Sequence, residues 1–256
     1  MHKISAFSGR NAKEILRDPL SYIFCVGFPL VMLVIMTLVD RSIPAQAGMT
    51  IFHIDNLAGG IVVFGQMFVM LFTAISVSKD RSGAFLMRMY ATPMTSVDFV
   101  AGYMLPMLVI ALVQGALIGL CAMVVSLITG DALQVGGLLL TLLPLLPSAV
   151  LFIAFGMLFG VLFTEKASPG LCSVIISLGS FLGSIWFDAA ATGGVLLDIS
   201  RCLPFYYCTG AMRAALQLRT GWEELWLPLV IVTGCAALLT ALSALAFRWK
   251  MRAELR

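Results

Sequence analysis

Asn56–Ser78 reads NLAGGIVVFGQMFVMLFTAISVS, 23 residues without an Asp, Glu, Lys or Arg, closed by Asp55 on one side and Lys79 on the other. A helix rises about 1.5 Å per residue, so roughly 20 residues cross the hydrocarbon core of a bilayer. A charge at mid-span costs about 2.5–3.5 kcal/mol on the insertion scale, and a run this long that avoids every charge has little other physical explanation. Five more runs of over twenty residues share the property: Pro19–Val39, Phe99–Gly130, Ala132–Thr164, Ala167–Phe187 and Leu225–Phe247. A transmembrane barrel would need short segments of alternating polarity, and these are continuously apolar.

Composition points the same way. Hydrophobic residues make up 61% of the 256-residue chain and charged residues 11%, where soluble domains carry about 25% charged. Mean hydropathy is +1.03. The net charge of +3 is too small to suggest a nucleic-acid partner. The six cysteines match no zinc spacing and no CxxC motif. The basic N-terminus and long first run, without a small-residue cleavage site, predict a retained span rather than a signal peptide.

The expected fold is an all-α integral membrane domain over residues 1–256. Its six transmembrane helices fall at about 20–39, 57–78, 99–128, 135–163, 169–187 and 225–247. The third and fourth runs are long for one crossing and short for two, so each predicts one tilted helix with an interfacial extension. Ala189–Leu197 and Cys202–Met212 are too short to span. Between helices five and six they predict a re-entrant helical hairpin, about 189–218, dipping into the outer leaflet. Residues 2–18 predict an interfacial amphipathic helix, with Ile4, Phe7, Ile15 and Leu16 near one face and Lys3, Arg10, Lys13 and Arg17 mostly off it. The alternative there is a solvated basic start that only fixes topology. Asp18-Pro19 then breaks the helix.

Six crossings place twelve basic residues on one side (Lys3, Arg10, Lys13, Arg17, Lys79, Arg81, Arg88, Lys166, Arg248, Lys250, Arg252 and Arg256) and four on the other (Arg41, Arg201, Arg213 and Arg219). The positive-inside rule then puts both termini in the cytoplasm of a multi-pass protein of the cell (inner or plasma) membrane. Trp186, Trp222 and Trp226 mark the outer boundary and Trp249 the inner one.

No phosphate-cradling G-x-x-x-x-G-K-[ST] loop occurs, nor HExxH, GxSxG or a Cys/His cluster. No catalytic residue and no metal ligand is assigned, and His2 and His53 lie outside the runs. Carboxylates inside the runs, which would mark proton pathways, are absent. The most structured polar segment follows run two: Asp80-Arg81-Ser82-Gly83-Ala84-Phe85-Leu86-Met87-Arg88-Met89-Tyr90-Ala91-Thr92-Pro93. Beyond the Gly83 breaker, Phe85, Leu86 and Met89 share one side and Arg88 the other. Such a short helix could dock a cytoplasmic partner; an ordinary charged anchor is the equal alternative.

That segment resembles the first cytoplasmic loop of ABC type-2 transporter permeases (type V exporters), whose pattern runs roughly acidic–basic–x–Gly–Thr–Leu–x–x–Leu–x–x–Thr–Pro. Arg17-Asp18-Pro19 with Pro29 resembles the start of the family's first span. Leu203-Pro204-Phe205-Tyr206-Tyr207 with Ala211-Met212-Arg213 resembles the segment before its sixth. Ala84 and Phe85 depart from the usual Thr and Leu, and Asp80 stands where Glu is common. The resemblance implies a permease dimer, homo- or heteromeric, in membrane lipid, each protomer carrying a separate ABC ATP-binding subunit. ATP and Mg would sit on that partner and no cofactor on this chain. It implies that Asp80, Arg81, Ser82, Gly83, Phe85, Arg88, Thr92 and Pro93 form the coupling loop to the ATPase. The interfacial helix (Phe7, Arg10, Ile15, Arg17) would help hold that subunit, and the outer hairpin (Pro204, Tyr206, Tyr207, Arg213) would cap the exit. Export of a drug, antibiotic or lipid-linked molecule is the implied function.

Within the spans, Gly59, Gln66 and Thr73 lie seven apart on one line, which should face protein or the transport path because a buried amide shuns lipid. Phe64, Phe68 and Phe72 lie nearly opposite, facing lipid or an amphiphilic substrate. Gln114 has the same two readings as Gln66. Gly115/Gly119, Gly156/Gly160 and Gly179/Gly183 are GxxxG spacings, each a packing contact or a chance occurrence, the last near a dimer interface in the resembling family. Cys202 and Cys208 fall near the expected outer face, where oxidation to a disulfide is possible, but if the hairpin is helical they diverge too far to bridge. Two other functions compete. A lipid-modifying membrane enzyme would need clustered polar groups, and a secondary carrier would need paired discontinuous helices.

Overall fold

The computed structural model describes residues 2–44, 50–83, 85–90, 92, 94–131 and 133–254, and among them every regular element is helical. The helices are α1 (His2–Leu16), α2 (Pro19–Ser42), α3 (Ile54–Ser82), α4 (Phe85–Tyr90), α5 (Ser96–Thr129) and α6 (Val135–Leu162). They continue as α7 (Ser168–Leu182), α8 (Ala189–Thr192), α9 (Gly194–Arg201) and α10 (Pro204–Leu216). Last comes α11, which opens as a π turn at Trp222–Trp226 and runs on through Leu227–Glu254.

Local chemistry sets several of these ends. Asp18 accepts from Leu20 N at 3.2 Å and from Ser21 Oγ at 2.7 Å, capping α2. Thr95 and Asp98 form a capping box at α5, and α5 stops at Gly130, whose φ of +81° is the left-handed turn that favours glycine. Two spanning helices contain a π turn, Ile23–Gly27 and Trp222–Trp226, and in each a proline follows two residues later, Pro29 and Pro228. A proline has no N–H for the carbonyl four residues back, and local widening is how membrane helices absorb that gap.

Among the described residues five helices are long and apolar enough to cross a bilayer: α2, α3, α5, α6 and α11. The fifth expected span differs. The run Ala167–Phe187 forms only the 15-residue α7, about 22 Å long against a hydrocarbon core of about 30 Å. Its helix stops at Gly183, and Ser184 takes a φ of +60°, so Ile185 to Phe187 continue outside the helix. The expected hairpin is three helices, α8, α9 and α10, broken by Gly193 at φ +67° and by Pro204. Of these α10 is the best buried, packing on α3, α11 and α6.

At the centre lies α3, against α6, α5, α10, α7 and α2. A side chain added at Gly156 would run into Met70 O and Thr73 Cβ; one at Gly160 would meet Val77 Cβ and Ala74 O. Missing side chains thus let the α6 and α3 backbones cross closely, the main way to pack helices where lipid is as apolar as leucine. Gly115 and Gly119 of α5 receive Leu145 and Leu138 of α6. At one end of the bundle Phe247 of α11 stacks on Phe99 and Tyr103 of α5, with α1 beside them. The start of α3 meets α10 at the other end.

Candidate functional site: a polar corner at the α1 end

Sequence accounts for how α1 docks. Pro106 inside α5 leaves the carbonyl of Gly102 without its helical donor. Asn11 of α1 supplies one, its Nδ2 donating to Gly102 O at 3.1 Å. Gly102 itself leaves room for the Phe7 ring, which would collide with any side chain there. Phe7 meets Phe99 and Tyr103 edge-on, centroids 5.6 and 5.1 Å away, and stacks on Phe85 at 6.4 Å. The buried stripe of α1 is therefore Phe7, Asn11 and Ile15, four residues apart, while Leu16 stays exposed.

Above this stripe Arg10 grips the end of α3 with a two-pronged bond: Nη1 donates to Asp80 Oδ2 at 2.6 Å and Nη2 to Asp80 Oδ1 at 2.8 Å. The Tyr103 hydroxyl donates to Asp80 Oδ2 at 2.7 Å, so the buried carboxylate is held from two helices. Arg10 also pairs with Glu14 at 2.8 Å and lies 4.0 Å over the Phe85 ring. Its bond to Asp80 raises the guanidinium pKa, against the pull of burial. The next residue works differently: Arg81 donates to Val161 O and, at 2.8 Å, to Phe163 O, final carbonyls of the α6 end that have no helical partner. Ser82 Oγ donates to Glu165 Oε2 at 2.5 Å and Lys79 to Glu14 at 3.4 Å.

The candidate coupling residues thus divide. Asp80 and Arg81 turn inward and bind their own chain. Gly83 ends α3 and is exposed; in α4 Leu86 is buried, Phe85 half-buried under Arg10, and Arg88 exposed. Thr92 is exposed and closes on Met89 O. Pro93 lies outside the described residues. On α1, Phe7 and Ile15 are buried; Arg17, just beyond its end, is exposed.

The intramembrane candidates sit inside the chain. Gln66 Nε2 donates to Leu145 O at 3.3 Å and Gln114 Nε2 to Val62 O at 3.1 Å, while both amide oxygens stay buried without a partner. Thr73 bonds Val69 O and faces Gly156, and Gly59 packs on Met212 and Arg213. Gly179 and Gly183 face Phe205 and Gly179 also Met67, both within this chain. In the phenylalanine line of α3, Phe64 and Phe68 are buried against Phe28 and Phe24 of α2 rather than facing lipid, while Phe72 meets Phe24 and stays half-buried.

At the far end Pro204 opens α10, and Tyr206 and Tyr207 lie edge to face at 5.6 Å. Arg213 Nε donates to Asn56 O at 3.0 Å while its Nη2 is buried and unpartnered. Burial pushes this guanidinium down, to about 10, with Asp188 and Asp55 opposing the shift. Cys202 is exposed, Cys208 buried, and both are free. Among the described residues no cluster of three metal-ligating side chains occurs.

Sequence reasoning missed Asn11, Glu14, Tyr103 and Phe247. The one signal within reach was Pro106, whose freed carbonyl demands a donor.

The profile of the ABC-2 family transporter proteins matches residues 44–245, from just after α2 to well into α11. The chain belongs to the ABC-2 transporter family. No curated protein matches it. As an ABC-2 transporter protein it is a multi-pass membrane component of a transport system and not itself the catalyst. Within this ABC-2 chain α1 and α2 precede the matched region, and the Arg10–Asp80 pair joins the two parts.

Proposed function

We propose that the chain is the membrane-spanning subunit of an ATP-driven exporter, powered by a separate ABC ATP-binding subunit that docks on the α1–α4 corner. The observation that carries this reading is the pairing of Arg10 with Asp80 beside α4. It makes α1, α4 and the end of the central helix α3 one mechanical unit. A push from below on Arg88 and Thr92 would pass into α3 and, through Arg81, into the end of α6. Asp80 and Arg81 act here as internal struts, and the partner meets Gly83, Arg88, Thr92 and the exposed side of α1.

The same reading takes six crossings, with Ile185–Phe187 completing the fifth beyond α7, and both termini in the cytoplasm. Two protomers form the path, ATP and Mg act on the partner, and the α8–α10 segment caps the exit. The cargo is a drug, antibiotic or lipid-linked amphiphile, since among the described residues the segment between α7 and α11 is only the short helices α8–α10.

Vesicles holding the chain and its cognate ATPase test the proposal. Export should need ATP, ignore proton and sodium gradients, and fail when residues 83–92 are replaced by a Gly/Ser linker that leaves Asp80 and Arg81 in place. Transport driven by an ion gradient without ATP would establish a carrier instead.

A further inference from the structure

A cleft of about 1010 Å³ opens between α1, the start of α2 and the lower half of α3. Four cations border it: Arg10, Lys13, Arg17 and Lys79. Two carboxylates accompany them, and both are engaged. Glu14 pairs with Arg10 and Lys79, and Asp18 caps α2 through Leu20 N and Ser21 Oγ. Lys13 on α1 and Arg17 just past its end are exposed and pair with no carboxylate among the described residues. Two unpaired like charges bordering one cleft repel each other, and an anion between them relieves the repulsion.

On the α3 side, next to Ser76 and Lys79, the lining is apolar at Phe72 and Ile75, and Phe72 meets Phe24 of α2 at 6.3 Å. From Phe24 the aromatic row passes into the buried contact of Phe68, Phe28 and Phe64, so its accessible part is Phe72 and Phe24. Nearby in sequence on α2, Leu20 and Ile23 are 56% and 55% exposed. A cationic mouth at the membrane interface leading onto an apolar rail fits a molecule with an anionic head and hydrocarbon tails, and a free phosphate ion would leave the rail unused.

We propose that this cleft binds an anionic phospholipid from the leaflet that faces α1, its phosphate on Lys13 and Arg17 and an acyl chain along Phe72 and Phe24. The lipid would hold α1 against α3 next to the Arg10–Asp80 pair. The proposal needs the chain to span a bilayer and does not depend on what the chain exports.

The test uses the purified full-length chain in a neutral detergent, with thermal unfolding followed on adding phosphatidylglycerol, phosphatidylcholine or glycerol phosphate. At about 100 times its Kd, phosphatidylglycerol should raise the midpoint by at least ~4 °C, and the other two should leave it unchanged. Lys13→Glu/Arg17→Glu should abolish the rise, while Arg219→Glu at the opposite end of the bundle should keep it. If the double reversal does not fold, Lys13→Gln/Arg17→Gln is read in its place and should weaken apparent affinity at least tenfold. An equal rise in the double variant, or an equal rise with phosphatidylcholine, overturns the proposal. A rise of the same size with glycerol phosphate overturns it in favour of a free phosphate site.

Discussion

Helices α2 and α3 are neighbours of nearly equal apolarity, with mean hydropathies of 2.5 and 2.1 over their most apolar windows, yet 17% of one window is buried inside the chain and 72% of the other. The buried helix is the less apolar. In water this would be backwards. In a bilayer lipid is as good a solvent for leucine as the protein interior, so apolarity decides only that a helix enters the membrane. Its place within the bundle is decided by small residues that admit a neighbouring backbone and by polar groups that need a partner. Gln66 and Thr73 lie on α3, and Gly65 makes room for Gln114 to reach Val62 O. On α2 the corresponding adhesive is aromatic, Phe24 and Phe28 against Phe64, Phe68 and Phe72.

The sharpest way to break the comparison is to spoil the small-residue crossing. Gly156→Leu would drive a side chain into the Met70 carbonyl, which cannot move aside as a flexible side chain can. A cost above about 3 kcal/mol is expected, at the top of the range for overpacking, seen as loss of monodisperse protein on size-exclusion chromatography. Phe28→Ala, on the outer helix, should cost about 1–3 kcal/mol in detergent unfolding. Besides its contact with Phe24 on the same helix, it removes two aromatic contacts across to α3, at 5.8 and 5.4 Å, each worth roughly 0.5–1.5 kcal/mol. Gln66→Met refines the role of polar groups. It deletes the bond to Leu145 O but also a buried, unpartnered amide oxygen, so the loss should stay below about 1 kcal/mol. Val31→Ala on the exposed side of α2 should change stability by no more than about 0.5 kcal/mol, and a larger effect would place a partner there.

Charge-free runs made the helical membrane class legible, because nothing else tolerates Asn56–Ser78 or Leu225–Phe247. The length of α7 was not legible: Gly183 and Ser184 end the helix inside an uncharged run, and a positive φ leaves no mark on hydropathy. The loop after α3 was recognisable as a motif, but the inward turn of Asp80 and Arg81 depends on α1 lying across α5. That in turn depends on Gly102 and Pro106, which sit 91 and 95 positions beyond Asn11 in the chain. The phenylalanine line of α3 was visible as a period, while its cover by α2 was not, since periodicity shows that a face exists and not what meets it.

The charge swap Arg10→Asp/Asp80→Arg probes the α1–α3 clamp most directly, read as retention of the cognate ATPase on the purified permease and its ATP-driven export. Each single reversal should cut both by at least tenfold, by setting like charges against each other, and the double swap should restore a large part of both. Full activity in the single reversals, or a double swap as impaired as the two singles combined, would contradict a mechanical link through this pair.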